Sequence, residues 1–227
     1  MSTPIPAAVL GATGYVSGEL LRLLAGHPGF ELVAAVSDGH AGKSVGAIFP
    51  HLANTYDLQF ASHDNWIDSI DNNSDLALFS AAPHGASAAI IAGALQKAAA
   101  KKVNVHVVDA SADFRYSSQK HYEAVYGIKH GAPELIPSFQ CGVPEQLEKL
   151  TAAHVGHPGC FATAVLLAIV PLLGNKLIDG ELFVTGVTGS TGSGRQAQAG
   201  THHPERHSNM YAYKALEHRH APEIVTL

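Results

Sequence analysis

The sequence predicts an α/β protein, with a Rossmann-type doubly wound parallel sheet followed by an incomplete α+β catalytic domain. Short apolar runs of β type alternate with helical patterns through the first half of the chain, and a glycine-rich loop follows the first run and opens a helix. The pattern changes after about residue 144. We therefore expect a dinucleotide-binding domain over residues 1–150, and over residues 151–227 the opening of a catalytic domain that the chain does not complete.

The elements of the expected sheet follow one another as βαβ units, with Gly and Pro residues marking the turns between them. The predicted strands are 7–10, 30–36, 75–80 and 103–109, and the predicted helices are 18–25 and about 86–101. Beyond residue 150 we predict a helix over 161–173, a strand over 182–187 and a polar, irregular tail.

Composition limits the classes of function. Hydrophobic residues make up 46% of the 227 residues, charged residues make up 15%, and the net charge is −5, which favours a buried core and gives no basic surface for nucleic acid. The longest apolar run is shorter than the ~20 residues that span a bilayer. Two cysteines without a CxxC pattern favour free thiols in a reducing compartment. We expect a soluble, cytoplasmic protein that binds neither nucleic acid nor membrane.

The segment GATGYVSG at residues 11–18 predicts a cofactor site, with an ordinary βα turn as the alternative. Glycines let the backbone turn tightly and approach a pyrophosphate, whose charge then lies at the helix N-terminus. The residues alone leave the choice between NAD and NADP open. Asp38, after the second strand, could hold a ribose 2′-hydroxyl, whereas Ser37, Lys43 and Ser44 could meet a 2′-phosphate.

Cys160 directly precedes an apolar helix. A thiol at a helix N-terminus meets unpaired N–H groups and the positive end of the helix dipole, which stabilise its thiolate, and the same N–H groups can hold an oxyanion. Cys160 is therefore the candidate nucleophile, with a buried structural cysteine as the alternative. Cys141 lacks a helix start and is expected to be structural.

Six motifs in order carry a family resemblance: GATGYVSGEL, the Pro-His-Gly turn at 83–85, DASADFR (109–115), HPGCFATA (157–164), GVTGSTGSGR (186–195) and HRHAPEI (218–224). On these motifs the chain resembles the N-acetyl-γ-glutamyl-phosphate reductase family, NADP-dependent enzymes of arginine biosynthesis. The resemblance implies reduction of N-acetyl-γ-glutamyl phosphate to its semialdehyde through a cysteine thioester. It implies NADP as cofactor, Cys160 as nucleophile and His218 as the acid/base.

The resemblance also implies cofactor contacts from the glycine loop, the end of the second strand and the turn after the third: Gly11, Thr13, Gly14, Tyr15, Val16, Ser37, Ala82, Pro83 and His84. A guanidinium grips phosphate or carboxylate in a bidentate manner, so Arg115 and Arg195 are the candidates for substrate binding, with Ser111 and Ser190 as helpers. A surface or inter-segment ion pair is the alternative for each arginine. A homo-oligomer is expected, because enzymes of this kind are commonly oligomeric.

The glycine loop departs from the family pattern. Ser17, with Gly18 beside it, replaces the usual third glycine, so we expect looser packing of helix against strand there. His157 stands where the family usually has Asn.

Other functions stay open. They are a related acyl-phosphate reductase (an aspartate or aminoadipate semialdehyde dehydrogenase), a non-catalytic NADP-binding regulatory module, and a cysteine hydrolase. A late group of histidines suggests a metal site, but neither HExxH nor paired CxxC occurs, so no metal is expected. These histidines are His202, His203, His207, His218 and His220.

Overall fold

The computed structural model describes residues 3–227. They form two compact units, one ending at His157 and the other spanning Pro158–Leu227. The first unit contains a six-stranded sheet in which every paired strand is parallel, flanked by helices. The predicted α/β class is confirmed.

Six strands make the sheet: β1 (Ile5–Leu10), β2 (Phe30–Val36), β3 (Asp75–Ser80), β4 (Asn104–Asp109), β5 (Phe139–Cys141) and β6 (His154–Gly156). Their order is β2-β1-β3-β4-β6-β5. Successive strands are added on one side of β1 and then on the other, so a crevice opens between the carboxyl ends of β1 and β3. Doubly wound folds bind their ligands at such a point.

The helices of the first unit are α1 (Tyr15–Leu24), α2 (Val45–Ile48), α3 (Ser87–Ala100) and α4 (Gln119–Tyr126). Those of the second unit are α5 (Cys160–Gly174), α6 (His203–Arg206) and α7 (His220–Thr226). Short 3₁₀ turns lie between several of these elements.

Both faces of the sheet are covered by apolar side chains. Ala8 and Leu10 of β1 belong to one buried cluster, to which α3 contributes, whereas Ala7 and Val9 belong to another, to which α1 contributes. This division follows from the two-residue period of a strand, which points alternate side chains to opposite faces. A sheet that is buried on both sides reads as a continuous apolar run, as β1 does.

The strand predicted over residues 182–187 is wrong. Among residues 158–227 the structure has helices and turns but no strand, and the Phe183 side chain is 91% exposed. β-type residues make a strand only where a neighbouring strand pairs with their backbone and packs against their side chains. The described part of the second unit offers no such neighbour.

Gly156 of β6 supplies a first test, because a Cβ there would lie 2.2 Å from the carbonyl oxygen of Phe114. We expect Gly156→Ala to lower the free energy of unfolding by about 1–3 kcal/mol, since backbone must shift to admit the methyl group. Gly93→Ala in α3 is the matched control, because a Cβ at Gly93 meets nothing within 4 Å. It should stabilise by about 0.5–1 kcal/mol through helix propensity. Denaturant unfolding that shows equal losses for both would contradict the packing.

His154 of β6 supplies a pH test. Its buried Nδ1 accepts a hydrogen bond from the Val107 N–H at 3.3 Å, and burial lowers the pKa of His154. The folded-state pKa therefore lies below the unfolded-state value of about 6.5, so this histidine's stabilising contribution is complete above that pH and is lost as the pH falls through the folded-state pKa. We expect the Tm of the wild type to fall more than that of His154→Gln between about pH 7.5 and about pH 5.5. Parallel falls would exclude His154 as a contributor.

Candidate functional site

A cleft of about 280 Å³ lies at the carboxyl ends of β1, β3 and β4 in the first unit. Its walls come from the start of α1, the turn after β3 and the first residue after β4, namely Val16, Ala81, Ala82, Pro83, His84 and Ala110. This is the point where the strand order reverses. Four residues expected to contact a cofactor, Val16 and the turn 82–84, therefore face one cleft.

Gly11 brings the loop after β1 against the turn after β3. Its φ is +67°, and a Cβ there would lie 2.7 Å from the backbone N and Cα of Ala82. Only glycine satisfies both the left-handed backbone and this close approach. The next N–H, of Ala12, donates to the Val36 carbonyl at the end of β2, 3.0 Å away. The loop is thereby fixed between two strand ends.

The N-terminus of α1 fits a phosphate group. Gly14 is the N-cap and has no side chain to accept the first-turn N–H groups, which lack partners within the helix. Ser17 is fully buried and its hydroxyl donates to the Gly14 carbonyl at 2.9 Å. The close approach of this helix is made by Gly18, where a Cβ would lie 2.7 Å from the Phe49 ring. The close contact at position 18 is therefore with the end of α2 and not with a strand.

The segment DASADFR forms a buried hydrogen-bond network with the turn that lines the cleft. Asp113 is buried and accepts the N–H groups of Gly85 and Ala88 at 2.7 and 3.0 Å, which fixes the turn that leads into α3. Asp109 accepts hydrogen bonds from the hydroxyls of Ser87 and Ser111 at 2.8 and 2.6 Å. Burial raises the pKa of Asp109. Ser111, predicted to help position substrate, is itself buried within this network.

Arg115 is also largely buried. Its Nε donates to the His157 carbonyl at 2.9 Å, its Nη2 to the Ala110 carbonyl at 3.2 Å, and its Nη1 to the Tyr126 hydroxyl at 3.2 Å. The guanidinium therefore braces the ends of β4 and of β6. Arg195, the other arginine predicted to bind substrate, lies in an exposed loop of the second unit.

In the second unit, Cys160 is exposed and is the first residue of α5. The residue before it, Gly159, is a buried N-cap whose N–H donates to the carboxylate of Glu223 at 2.9 Å. His220 packs directly on this glycine, since a Cβ there would lie 2.2 Å from His220 Nε2. The helix start is thus held by two side chains of the HRHAPEI motif, and the sulfur is accessible.

His218 contacts the residue that follows Cys160. Its ring contacts the Phe161 ring edge to face, with centroids 5.3 Å apart, and its Nε2 is 3.4 Å from the Tyr213 hydroxyl. Burial raises the pKa of Tyr213, and the charge of Cys160 adds to this effect. Burial lowers the pKa of His218, with Arg219 as a second cause. A largely neutral imidazole can accept a proton.

Sequence reasoning missed Glu223, Tyr213 and the two buried aspartates. Glu223 follows Pro222 in the HRHAPEI motif. Its burial could not be predicted, because a Pro-Glu pair is typical of an exposed segment. Tyr213 lies in a polar, irregular segment that carries no periodic signal. Asp109 and Asp113 belong to the DASADFR motif, in which only Arg115 and Ser111 were predicted to have a role.

Within residues 3–227, no group of three or more His, Cys, Asp or Glu side chains is arranged to hold a metal ion. The rings of His203 and His207 lie near each other and are tilted by 51°, with centroids 5.3 Å apart. In the same described range, none of the helices combines the length and apolar character needed to cross a membrane.

Comparison with known proteins matches both units. The profile of the semialdehyde dehydrogenase NAD-binding domain covers residues 6–139, and that of the semialdehyde dehydrogenase dimerisation domain covers residues 160–226. N-acetyl-γ-glutamyl-phosphate reductase of Desulforudis audaxviator is 40% identical over 97% of this chain and 62% of its own length. The LysW-L-2-aminoadipate/LysW-L-glutamate phosphate reductase of Saccharolobus solfataricus is 38% identical over 98% of this chain and 62% of its own.

The chain thus spans about three fifths of the length of these curated relatives. Among solved structures, aspartate semialdehyde dehydrogenase from Candida albicans, crystallised with NADP, is 19% identical with a TM-score of 0.45, covering 76% of this chain and 48% of its own.

Glu223 gives the test of the second unit. Glu223→Ala should lower the free energy of unfolding by about 1–3 kcal/mol, because it leaves the buried Gly159 N–H without an acceptor. Glu223→Gln retains a carbonyl oxygen that can accept this bond. Its free energy of unfolding should therefore fall by less than half of the fall in Glu223→Ala. Thermal unfolding measures both, with the exposed residue Glu217 changed to Ala as control. An equal loss in the Ala and Gln variants would mean that the charge, and not the hydrogen bond, holds the helix start.

Proposed function

Because the chain belongs to the semialdehyde dehydrogenase family, we propose that it reduces an acyl phosphate to an aldehyde through a thioester on Cys160. The proposed substrate is N-acetyl-γ-glutamyl phosphate and the proposed reductant is NADPH. The main support is the exposed cysteine at the first residue of α5, with the imidazole of His218 in contact with the next residue, Phe161. The 40% identical reductase of Desulforudis audaxviator supports the substrate.

The first step needs only groups of the second unit. The Cys160 thiolate attacks the carbonyl carbon of the acyl phosphate, the carbon–oxygen bond to the phosphate breaks, and inorganic phosphate leaves. The N–H groups in the first turn of α5 are suited to stabilise the negative oxygen that develops on the carbonyl. Glu223 contributes by fixing the Gly159 backbone at the start of this turn.

The second step reduces the thioester and releases the aldehyde. A nicotinamide cofactor, when bound, supplies the hydride that adds to the thioester carbon. His218 provides the proton transfer: it takes the proton of the Cys160 thiol before attack and returns one as the carbon–sulfur bond breaks. The lowered pKa of His218 suits both roles, because a neutral imidazole accepts a proton at neutral pH and its conjugate acid donates readily.

We assign the cofactor to the cleft of the first unit. The loop and first turn of α1 would hold the pyrophosphate, and the end of β2 would hold the adenosine ribose. The turn after β3 would hold the remaining part of the cofactor. The proposed contacts are Gly11, Thr13, Gly14, Tyr15, Val16, Ser37, Ala82, Pro83 and His84.

Arg115 and Arg195 are proposed to act on the anionic groups of the substrate in different ways. Arg115 donates to three neutral oxygens and so places its positive charge beside the His157 carbonyl, in the segment that precedes Cys160. Arg195 lies in an exposed loop that holds Ser190, where a guanidinium can reach a carboxylate or phosphate.

A second candidate substrate is a carrier-linked aminoadipyl or glutamyl phosphate. Relatives named for that activity, from Saccharolobus solfataricus and Aeropyrum pernix, are 38% and 39% identical to this chain. The chemistry at Cys160 would be the same, and only the group beyond the acyl phosphate would differ.

We further propose that the protein is a cytoplasmic homo-oligomer that associates through its second unit. The dimerisation-domain profile covers residues 160–226, and this unit exposes apolar side chains that a partner copy would cover, among them Leu177, Phe183 and Val187. Neither Cys141 nor Cys160 forms a disulfide among the described residues.

The test is phosphate-dependent reduction of NADP⁺ with N-acetylglutamate semialdehyde, compared with aspartate semialdehyde. We expect turnover with the first aldehyde and a loss of at least about a thousandfold in kcat for Cys160→Ser, because serine is not activated by the same environment. Cys141→Ser should retain activity. NADPH binding without turnover in the wild type would instead favour a regulatory module, and turnover in Cys160→Ser would exclude the thioester.

A further inference from the structure

We propose that His63 determines cofactor choice by holding the Asp38 carboxylate away from the adenosine ribose, so that the first unit accepts a 2′-phosphate. The inference rests on the proposed function only in assuming that a nicotinamide dinucleotide occupies the cleft of the first unit. It concerns two side chains that lie 25 positions apart and meet at the end of β2.

Asp38 stands where an acidic residue ordinarily selects NAD. It follows β2 by two residues and begins a short 3₁₀ turn, Asp38–His40. In doubly wound dinucleotide-binding folds an acidic side chain near this strand end accepts a hydrogen bond from the ribose 2′-hydroxyl. The same carboxylate would repel a 2′-phosphate. With its oxygens available, Asp38 would therefore direct the protein towards NAD.

Both carboxylate oxygens of Asp38 are already engaged. Oδ1 accepts the backbone N–H of His63 at 2.8 Å, and Oδ2 lies 2.8 Å from His63 Nδ1. The hydrogen bond from the His63 backbone is the main cause that lowers the pKa of Asp38, and the bond from its ring is the second. A carboxylate can only accept, so Nδ1 of His63 carries the proton in this pair. The carboxylate is oriented by His63.

The loop that carries His63 is itself fixed alongside β2. Ala61 donates to the Ala35 carbonyl at 2.8 Å and accepts the N–H of Ser37 at 2.9 Å, so the chain runs parallel to the end of β2. From α3, the Lys97 ammonium donates to the His63 carbonyl and to the Asp64 carboxylate. The imidazole is therefore positioned by contacts with β2 and α3.

With Asp38 turned to His63, the groups left for a 2′-phosphate are donors. The Ser37 hydroxyl is 3.5 Å from His40 Nδ1, and Lys43 is exposed a few residues further along the same loop. A hydroxyl, an imidazole and an ammonium suit a dianionic phosphate. The proposed pairing turns the Asp38 carboxylate towards His63 and leaves these donors to a 2′-phosphate.

The experiment compares NADPH and NADH binding by fluorescence titration of the purified chain, which needs no turnover. The ratio of the Kd for NADH to the Kd for NADPH should fall by about fivefold in His63→Ala, since the ring donor on Oδ2 is lost while the backbone N–H still holds Oδ1, which frees one carboxylate oxygen for the ribose. His63→Leu, which fills the space of the ring but cannot donate, should give the same fall. Asp38→Asn in the His63→Ala background should restore the ratio, because the liberated charge is gone. His51→Ala, at an exposed histidine elsewhere in the first unit, is the matched control and should leave the ratio unchanged.

The outcomes separate this inference from the proposed function. A wild type that prefers NADPH, with the ratio unchanged in both His63 variants, overturns the role of His63 and leaves the reductase proposal standing. A wild type that prefers NADH also overturns the inference. A wild type that binds neither dinucleotide overturns the cofactor assignment on which both rest.

Discussion

The approach of the Gly11 backbone to Ala82 is the constraint on which the cleft of the first unit depends. Parallel pairing of β1 with β3 places Leu10 opposite Ser80, so both strands end at the same level and the residues that follow them meet. At 2.7 Å there is no space for a side chain between the two loops. The backbone after β1 therefore packs directly on the backbone after β3. The first turn of α1 begins beside this contact. The shape of this cleft thus depends more on the packing of backbone atoms than on its side chains.

The most recognisable motifs serve this backbone arrangement as much as they serve chemistry. The Asp113 carboxylate accepts hydrogen bonds from the N–H groups of Gly85 and Ala88, which fixes the turn that lines the cleft. Arg115 braces the carbonyls of Ala110 and His157. Both side chains are buried, so each would be costly to leave without its partners. Charged residues of this motif thus support a turn and two strand ends.

Elements were predictable from sequence where the signal is local. The strands over 30–36 and 75–80 have the bounds predicted, because a buried parallel strand is a continuous apolar run between turn residues. The three-residue strands β5 and β6 were missed, since so short a run has no period, and the run over 182–187 was wrongly taken as a strand. The same distinction holds for the site. The helix start at Cys160 was predictable from the apolar run that follows it, whereas the pairing of Asp38 with His63 depends on tertiary contacts between loops 25 residues apart.

The second unit shows why a helix start alone does not define a nucleophile. The dipole of α5 favours negative charge at its N-terminus, but Glu223 already places a carboxylate there, on the Gly159 N–H. That carboxylate accepts the N-cap N–H, and the proposed mechanism assigns the oxyanion to the N–H groups beyond it, in the first turn. Glu223 also acts on His218, raising its pKa against the larger effects of burial and of Arg219 and Lys214, which lower it. The pKa of His218 is therefore set by a balance among buried and charged neighbours on α7 and the preceding loop, and Glu223 also holds the backbone of the residue that precedes Cys160.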